Sequence, residues 1–267
     1  MQLFGNQNKQ SETIDGRLIS MDQLLEKEES TISKEKSMTL IVLYFVVFTV
    51  AFPYLLSFFI SLMGFSYSTH ENLLEIQMVI QMVFSLFIFI ASLYFSRDLL
   101  KESYYAIRKH KLFLVLTSIV LWFVMLYSVS IVSMLVQTFT NELDSQNQKA
   151  VVSMISGFPI LGVYYTVIFA PVVEEIVFRG AIFRKLRTEK GFVIAMLVSS
   201  LLFGSIHVIS SLSSGNYLDL LNIFVYGVMG AYLCLSYEVT GSIYGPILVH
   251  FLNNFISIAM ILMEIFN

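Results

Sequence analysis

Seven apolar windows, each close to the roughly 20 residues that a helix needs to cross a bilayer, recur along the chain. They fall at 39–63, 72–96, 112–138, 158–182, 192–212, 219–237 and 242–265. None alternates with a period of two, and a backbone inside lipid must satisfy its own hydrogen bonds, so the windows predict helices. Only 13% of the 267 residues are charged and 57% are hydrophobic, whereas a soluble domain carries about 25% charge. That balance excludes an ordinary cytosolic enzyme and a disordered chain. A net charge of -3 leaves no basic footprint for nucleic acid. The single cysteine, Cys234, sits in an apolar run and excludes an intrachain disulfide. The expected fold class is therefore all-α, a polytopic transmembrane helix bundle of about seven spans.

Basic residues give the bundle a direction. The polar tail over 1–38 carries Lys9, Arg17, Lys27, Lys34 and Lys36. The connection between spans two and three carries Arg97, Lys101, Arg108, Lys109 and Lys111. The link between spans four and five carries Arg184, Lys185, Arg187 and Lys190, with Arg179 just before it. Of the 16 basic residues only Lys149, between spans three and four, falls on the other side. The amino terminus is thus expected in the cytoplasm and the carboxyl terminus outside. The tail has no early apolar core and no small-residue cleavage site, so no secretory signal is expected and the first span should be retained. The expected organisation is a solvated cytoplasmic tail over 1–38, three accessory spans over 39–138 and a four-helix core over 139–267.

An ionisable side chain at mid-bilayer costs about 2.5–3.5 kcal/mol, so each one demands an explanation. Three places stand out. In the fourth span, Glu175 and Arg179 are four residues apart and share a helix face, so they can pair. Glu174 lies about 100° around the helix, has no basic partner in register and should protonate or face a wet cavity. Pro171 lacks an amide hydrogen and loosens the preceding turn. The bland alternative has both acids capping a helix end and reaching for water. In the fifth span, His207 follows Gly204, a residue that lets a neighbouring helix approach; a packed, hydrogen-bonded core histidine is the alternative. In the seventh, His250 and Asn254 lie one above the other, which suits a site or an interhelical clamp equally. His70 and His110 are placed in loops. Gly227, Gly230 and Ala231 in the sixth span predict close packing within the bundle.

Helix rise ties the three places together. Glu174 lies about 20 Å from Arg187, His207 about 24 Å from Gly191, and Asn254 about 18 Å from Ser242, all counted from the cytoplasmic side. A carboxylate and an imidazole around one water can direct it onto a carbonyl, and a second imidazole with an amide can hold the oxyanion. That set suits hydrolysis of a peptide bond. No HExxH is present, since His70-Glu71 is followed by Asn72, Leu73 and Leu74, and neither GxGD nor GxSG occurs.

In order and spacing, Glu174-Glu175-Ile176-Val177-Phe178-Arg179 matches EExxxR, Phe203-Gly204-Ser205-Ile206-His207 matches FxxxH, and His250-Phe251-Leu252-Asn253-Asn254 matches HxxxN. On these motifs the chain resembles the CPBP family (CAAX protease and bacteriocin-processing, also called Abi), which includes the eukaryotic CAAX prenyl endopeptidase. The motifs cover about 170–255; the first three spans resemble nothing specific. The resemblance implies an intramembrane endopeptidase with a cavity open toward the cytoplasm. It implies that Glu174 and His207 activate water, that His250 and Asn254 hold the oxyanion, and that Glu175 and Arg179 support the site. A metal-free reaction is the preferred reading, with zinc on Glu174, His207 and His250 as the alternative. The implied partners are the lipid bilayer and a peptide or membrane-protein substrate, and the implied setting is a bacterial plasma membrane. Two other readings remain open: a non-proteolytic self-immunity or regulatory protein that binds a membrane partner, and a proton-coupled transporter. The transporter lacks support from repeated halves.

Overall fold

The computed structural model describes residues 32–62 and 70–266. All regular structure among them is helical. The expected tail lies outside the described residues up to residue 31. From Lys34 the chain is helical, with Ser33 Oγ capping the first turn through the Lys36 amide at 3.3 Å. The helices are α1 (Lys34–Leu62), α2 (His70–Phe95), α3 (Arg97–Ile107), α4 (Lys111–Thr140), α5 (Gln146–Gly157), α6 (Pro159–Lys190), α7 (Phe192–Ser214), α8 (Asn222–Thr240) and α9 (Tyr244–Phe266).

Six of the described helical stretches are long and apolar enough to cross a membrane, or seven if the bent pair Ile80–Phe95 and Arg97–Ile107 counts as one span. The chain is a multi-pass membrane protein. Three boundaries differ from the sequence reading. The second span's helix begins at His70, so that residue is not in a loop. The fourth span runs on to Lys190, because its basic end is held by protein. Arg184 bonds Tyr237 Oη at 3.3 Å and Glu102 at 3.1 Å, while Arg187 meets Glu238 at 2.8 Å. Gly191, at φ +81°, then breaks the helix where an L side chain would be strained.

The third difference concerns the connection between spans three and four, which forms a helix of its own. Ser145 Oγ accepts from the Gln148 amide at 3.1 Å and starts α5. Pro159 ends it, since the residue before a proline is pushed away from helical backbone; Phe158 sits at φ -138°, ψ 71°. The polar run Gln146-Asn147-Gln148-Lys149 hid this helix from a search for apolar windows.

Helix α6 is the centre of the bundle. Its most apolar stretch is 61% buried, against 11–33% for the other candidate spans. Its apolar residues Val173, Ile176, Val177 and Phe178 are wholly enclosed by α1, α2, α7, α8 and α9. The outer faces of the surrounding helices carry exposed Leu, Ile, Val and Phe, as lipid contact requires.

Helices α7 and α8 approach most closely, as the small residues of the sixth span predict. A Cβ on Gly230 would lie 2.9 Å from Ser200 Cα, and one on Gly204 would lie 2.7 Å from the Ile223 carbonyl oxygen. Gly230→Ala is expected to cost about 1–3 kcal/mol through overpacking against backbone. The check is a lowered thermal midpoint of the detergent-solubilised protein. Gly157→Ala, where a Cβ would meet nothing within 4 Å, serves as the neutral control.

Candidate active site

The stretch of α6 that carries the acids is not a uniform α-helix. Wide π turns span Tyr164–Phe169 and Ile176–Phe183, with one α segment, Ala170–Glu175, between them. Such wide turns inside helices concentrate at functional sites. Pro171 explains the first of them. The Ala170 amide reaches back to Tyr165 O in the wide register, and Pro171 has no amide hydrogen to offer the next carbonyl. Thr166 O is thereby freed, and Asn254 Nδ2 on α9 donates to it at 2.8 Å. The seventh-span motif is pinned to the helix break next to the acids.

Glu175 and Arg179 form the expected pair, Nη1 to Oε1 at 3.0 Å, with both side chains completely buried. The same Oε1 lies 2.9 Å from His250 Nδ1. The guanidinium also donates from Nη2 to Gly230 O at 2.9 Å and lies 4.7 Å from the Phe203 ring centre. Four helices, α6 to α9, are thus tied through one buried charge pair.

Glu174, at 7% exposure, leaves that network and borders a cavity of about 150 Å³ together with His207, His250 and Asn254. The structure therefore brings the residues singled out in three separate spans to one place. The partner of Glu174 is not basic: Tyr44 Oη on α1 donates to Oε1 at 2.9 Å, while Oε2 has no hydrogen-bond partner among the described residues. Tyr44 is held by rings of Phe45, Phe48 and Phe178. With 14 tyrosines in the chain and no spacing that links residue 44 to 174, nothing local in the sequence marks it. Tyr44→Phe would leave a buried carboxylate oxygen without its protein donor. It is expected to cost about 1–3 kcal/mol, read as a lowered midpoint against wild type.

His207 Nδ1 lies 2.8 Å from the Phe203 carbonyl oxygen, an atom that only accepts. The proton is therefore on Nδ1, and Nε2 of the neutral ring is an acceptor. The ring is fixed by stacking on Tyr226, with centres 4.5 Å apart and planes inclined by 22°. Tyr226 is a second residue that sequence reasoning missed.

The zinc alternative finds no ligand set. Among the described residues, no three His, Cys, Asp or Glu side chains are grouped so as to hold a metal ion. Glu174, His207 and His250 share a cavity without forming such a group.

The cavity is lined by more than the residues of the three motifs. It is bordered by Asn147, Gln148 and Val151 of α5, by Tyr226 near the start of α8 and by Ser257 on the far half of α9. All lie toward the end of the bundle opposite the basic α6–α7 link.

Residues 156–256 match the model of a family described as type II CAAX prenyl endopeptidase Rce1-like. Among curated proteins, a Bacillus subtilis protein named "Putative membrane peptidase YdiL" is 31% identical over 111 residues, covering 42% of this chain and 41% of the relative. A Staphylococcus aureus protein named "Membrane-embedded CAAX protease MroQ" is 32% identical over 137 residues, covering 49% and 51%. The chain spans about half or less of the length of these relatives. No solved structure matches it significantly. The match over 156–256 contains all three motifs, and over this segment the chain is similar to the Rce1-like type II CAAX prenyl endopeptidase family.

Proposed function

We propose that the protein is an intramembrane endopeptidase that hydrolyses a peptide bond in a peptide or membrane-protein substrate. The observation that carries this reading is Glu174: a nearly buried carboxylate with one oxygen held by Tyr44, the other without a protein partner, at a cavity shared with two histidines and an asparagine. A structural acid would have both oxygens satisfied or a counter-charge beside it. The similarity to proteins named as membrane peptidases supports the same chemistry.

In this mechanism Glu174, with the Nε2 acceptor of His207, takes a proton from water as its oxygen adds to the scissile carbonyl carbon. The carbonyl electrons move to oxygen and form the oxyanion. Asn254 spends one amide hydrogen on Thr166 O and has the second for that oxyanion. His250 commits Nδ1 to Glu175, so Nε2 donates when the ring carries both protons. Collapse restores the C=O bond and breaks the C–N bond. The proton taken from water passes to the leaving nitrogen and the new acid's proton follows it, giving one carboxylate and one ammonium group.

The test compares the termini of membrane-associated peptides in cells that carry wild type or Glu174→Ala at matched abundance. Termini that vanish in the variant establish proteolysis and identify the substrate. Identical termini, with the cellular phenotype kept by Glu174→Ala, overturn the reading in favour of a binding protein on a protease-like scaffold.

A further inference from the structure

A second recess borders α6 at its basic end, away from the three motifs. Its volume is about 770 Å³, against about 150 Å³ for the cavity at Glu174. The start of α1 forms one wall through Lys34 and Ser37, and the last turns of α6 form the other through Arg184, Lys185, Thr188 and Glu189. Gly180 and Ala181 also line it, and neither fills the space with a side chain beyond Cβ. An occupant would touch α1 and α6 together, the helices that the Tyr44–Glu174 hydrogen bond joins further along.

The charges in the lining leave one positive charge over. Arg184 already meets Glu102 at 3.1 Å and Tyr237 Oη at 3.3 Å. Lys34 and Lys185 have no ion-pair partner among the described residues, and Glu189 is the one carboxylate that lines the recess. The remaining excess balances a phosphodiester, which carries a single negative charge. The positive end of the α1 dipole adds to it, because that helix begins in this wall.

Ser37 is the second sign of an anion. It is 8% exposed and lines the recess, yet its hydroxyl has no partner among the described residues. Thr39, two residues on, bonds back to the Glu35 carbonyl oxygen at 2.9 Å, the usual refuge of a hydroxyl within a helix. Ser37 makes no such bond and has its hydrogen free for an acceptor in the recess.

The surroundings are those of a lipid. Lys34 also borders a groove of about 480 Å³ lined by Met38, Thr39, Val42 and Leu43. Met38 and Val42 are 55% and 41% exposed. Polar recess and apolar groove thus meet at Lys34, where the first apolar window begins and basic side chains reach the headgroup layer.

We propose that recess and groove together hold one anionic glycerophospholipid. Its phosphodiester lies between Lys34, Lys185 and Ser37, a headgroup hydroxyl donates to Glu189, and an acyl chain follows Met38 and Val42. The assignment holds whichever way the bundle crosses the bilayer and does not rest on the endopeptidase reading.

The test titrates delipidated full-length protein in neutral detergent and follows the thermal midpoint, which rises with any ligand that binds the folded state alone. The probes are dioctanoyl phosphatidylglycerol, dioctanoyl phosphatidylcholine and glycerophosphoglycerol, the first headgroup without its acyl chains. Phosphatidylglycerol is expected to raise the midpoint saturably, and each of the others to need at least about tenfold more for the same rise. Lys34→Gln with Lys185→Gln is expected to weaken phosphatidylglycerol about thirtyfold, and Ser37→Ala about fivefold. Lys109→Gln with Lys111→Gln removes the same charge from exposed positions outside the recess and should change the affinity less than twofold. Val42→Gln should weaken phosphatidylglycerol severalfold through the acyl groove.

Equal affinity for phosphatidylcholine overturns the anion site. Equal loss in the two lysine pairs overturns its place, leaving only attraction to the basic end. Glycerophosphoglycerol acting as well as the lipid, with Val42→Gln unchanged, overturns the lipid in favour of a soluble phosphodiester. A midpoint rise that appears only after deletion of residues 1–31, which join the recess at Ile32, overturns the proposal in favour of the chain's own tail as occupant.

Discussion

Arg179→Ala is expected to remove about 3–5 kcal/mol of stability, the usual cost of stranding one member of a buried ion pair. The size follows from what Arg179 touches. Its guanidinium neutralises Glu175 at 3.0 Å, donates to Gly230 O at 2.9 Å and covers the Phe203 ring at 4.7 Å, all at zero exposure. Without it, Glu175 keeps only His250 as a donor, and Glu175 Oε2 already has none. The loss corresponds to a midpoint lower by roughly 6 °C or more for a chain of this size, measured on purified protein in one detergent. Arg179→Lys should fall between, because an ammonium keeps the charge and loses the planar fork that serves Glu175 and Gly230 together. Combining Arg179→Met with Glu175→Gln should recover part of the loss, since the stranded charge goes with its partner. A single Arg179→Ala loss below about 1 kcal/mol, the range of exposed pairs, would refute the role of this pair as the clamp between α6 and α8.

What was legible in the sequence is what helix periodicity encodes. A spacing of four residues put Glu175 and Arg179 on one face, and counting rise per residue put Glu174, His207 and Asn254 at one depth. Both are properties of single helices joined by short links. The contact from Tyr44 to Glu174 joins residues 130 positions apart, and no periodicity within a helix reports which face of α1 meets α6. The bond from Asn254 to Thr166 O was hidden for another reason. It depends on a carbonyl set free by a wide turn, and Pro171 shows that the turn is loosened without showing which distant side chain fills it. Helix α5 was missed because a search for membrane spans rewards unbroken apolarity. A short amphipathic helix at the membrane surface has the composition of a loop with a few buried positions. The residues that meet at the cavity were thus legible, whereas the tyrosines and the short helix beside them were not.

Glu174→Gln is expected to lower the cleavage rate by about a thousandfold, within the 10²–10⁴ that a positioned general base supplies, while leaving the fold in place. Glutamine has the same shape, and its carbonyl oxygen can still accept the Tyr44 hydroxyl hydrogen now given to Oε1. What it cannot do is take a proton from water. The midpoint of this variant should therefore stay near that of wild type, in contrast to Arg179→Ala, whose activity would fall together with its stability. The measurement is the initial rate on the substrate that the terminus comparison identifies, with the midpoint taken on the same preparation. His207→Ala should also lower the rate strongly, and the double variant should be little slower than the worse single one, because two groups acting on one water are not independent. Additive losses would assign them to separate steps. A Glu174→Gln rate within a few fold of wild type would remove Glu174 from the chemistry. The buried carboxylate held by Tyr44 would then be a fixture of the fold, and the chain a binding protein built on the scaffold of a protease.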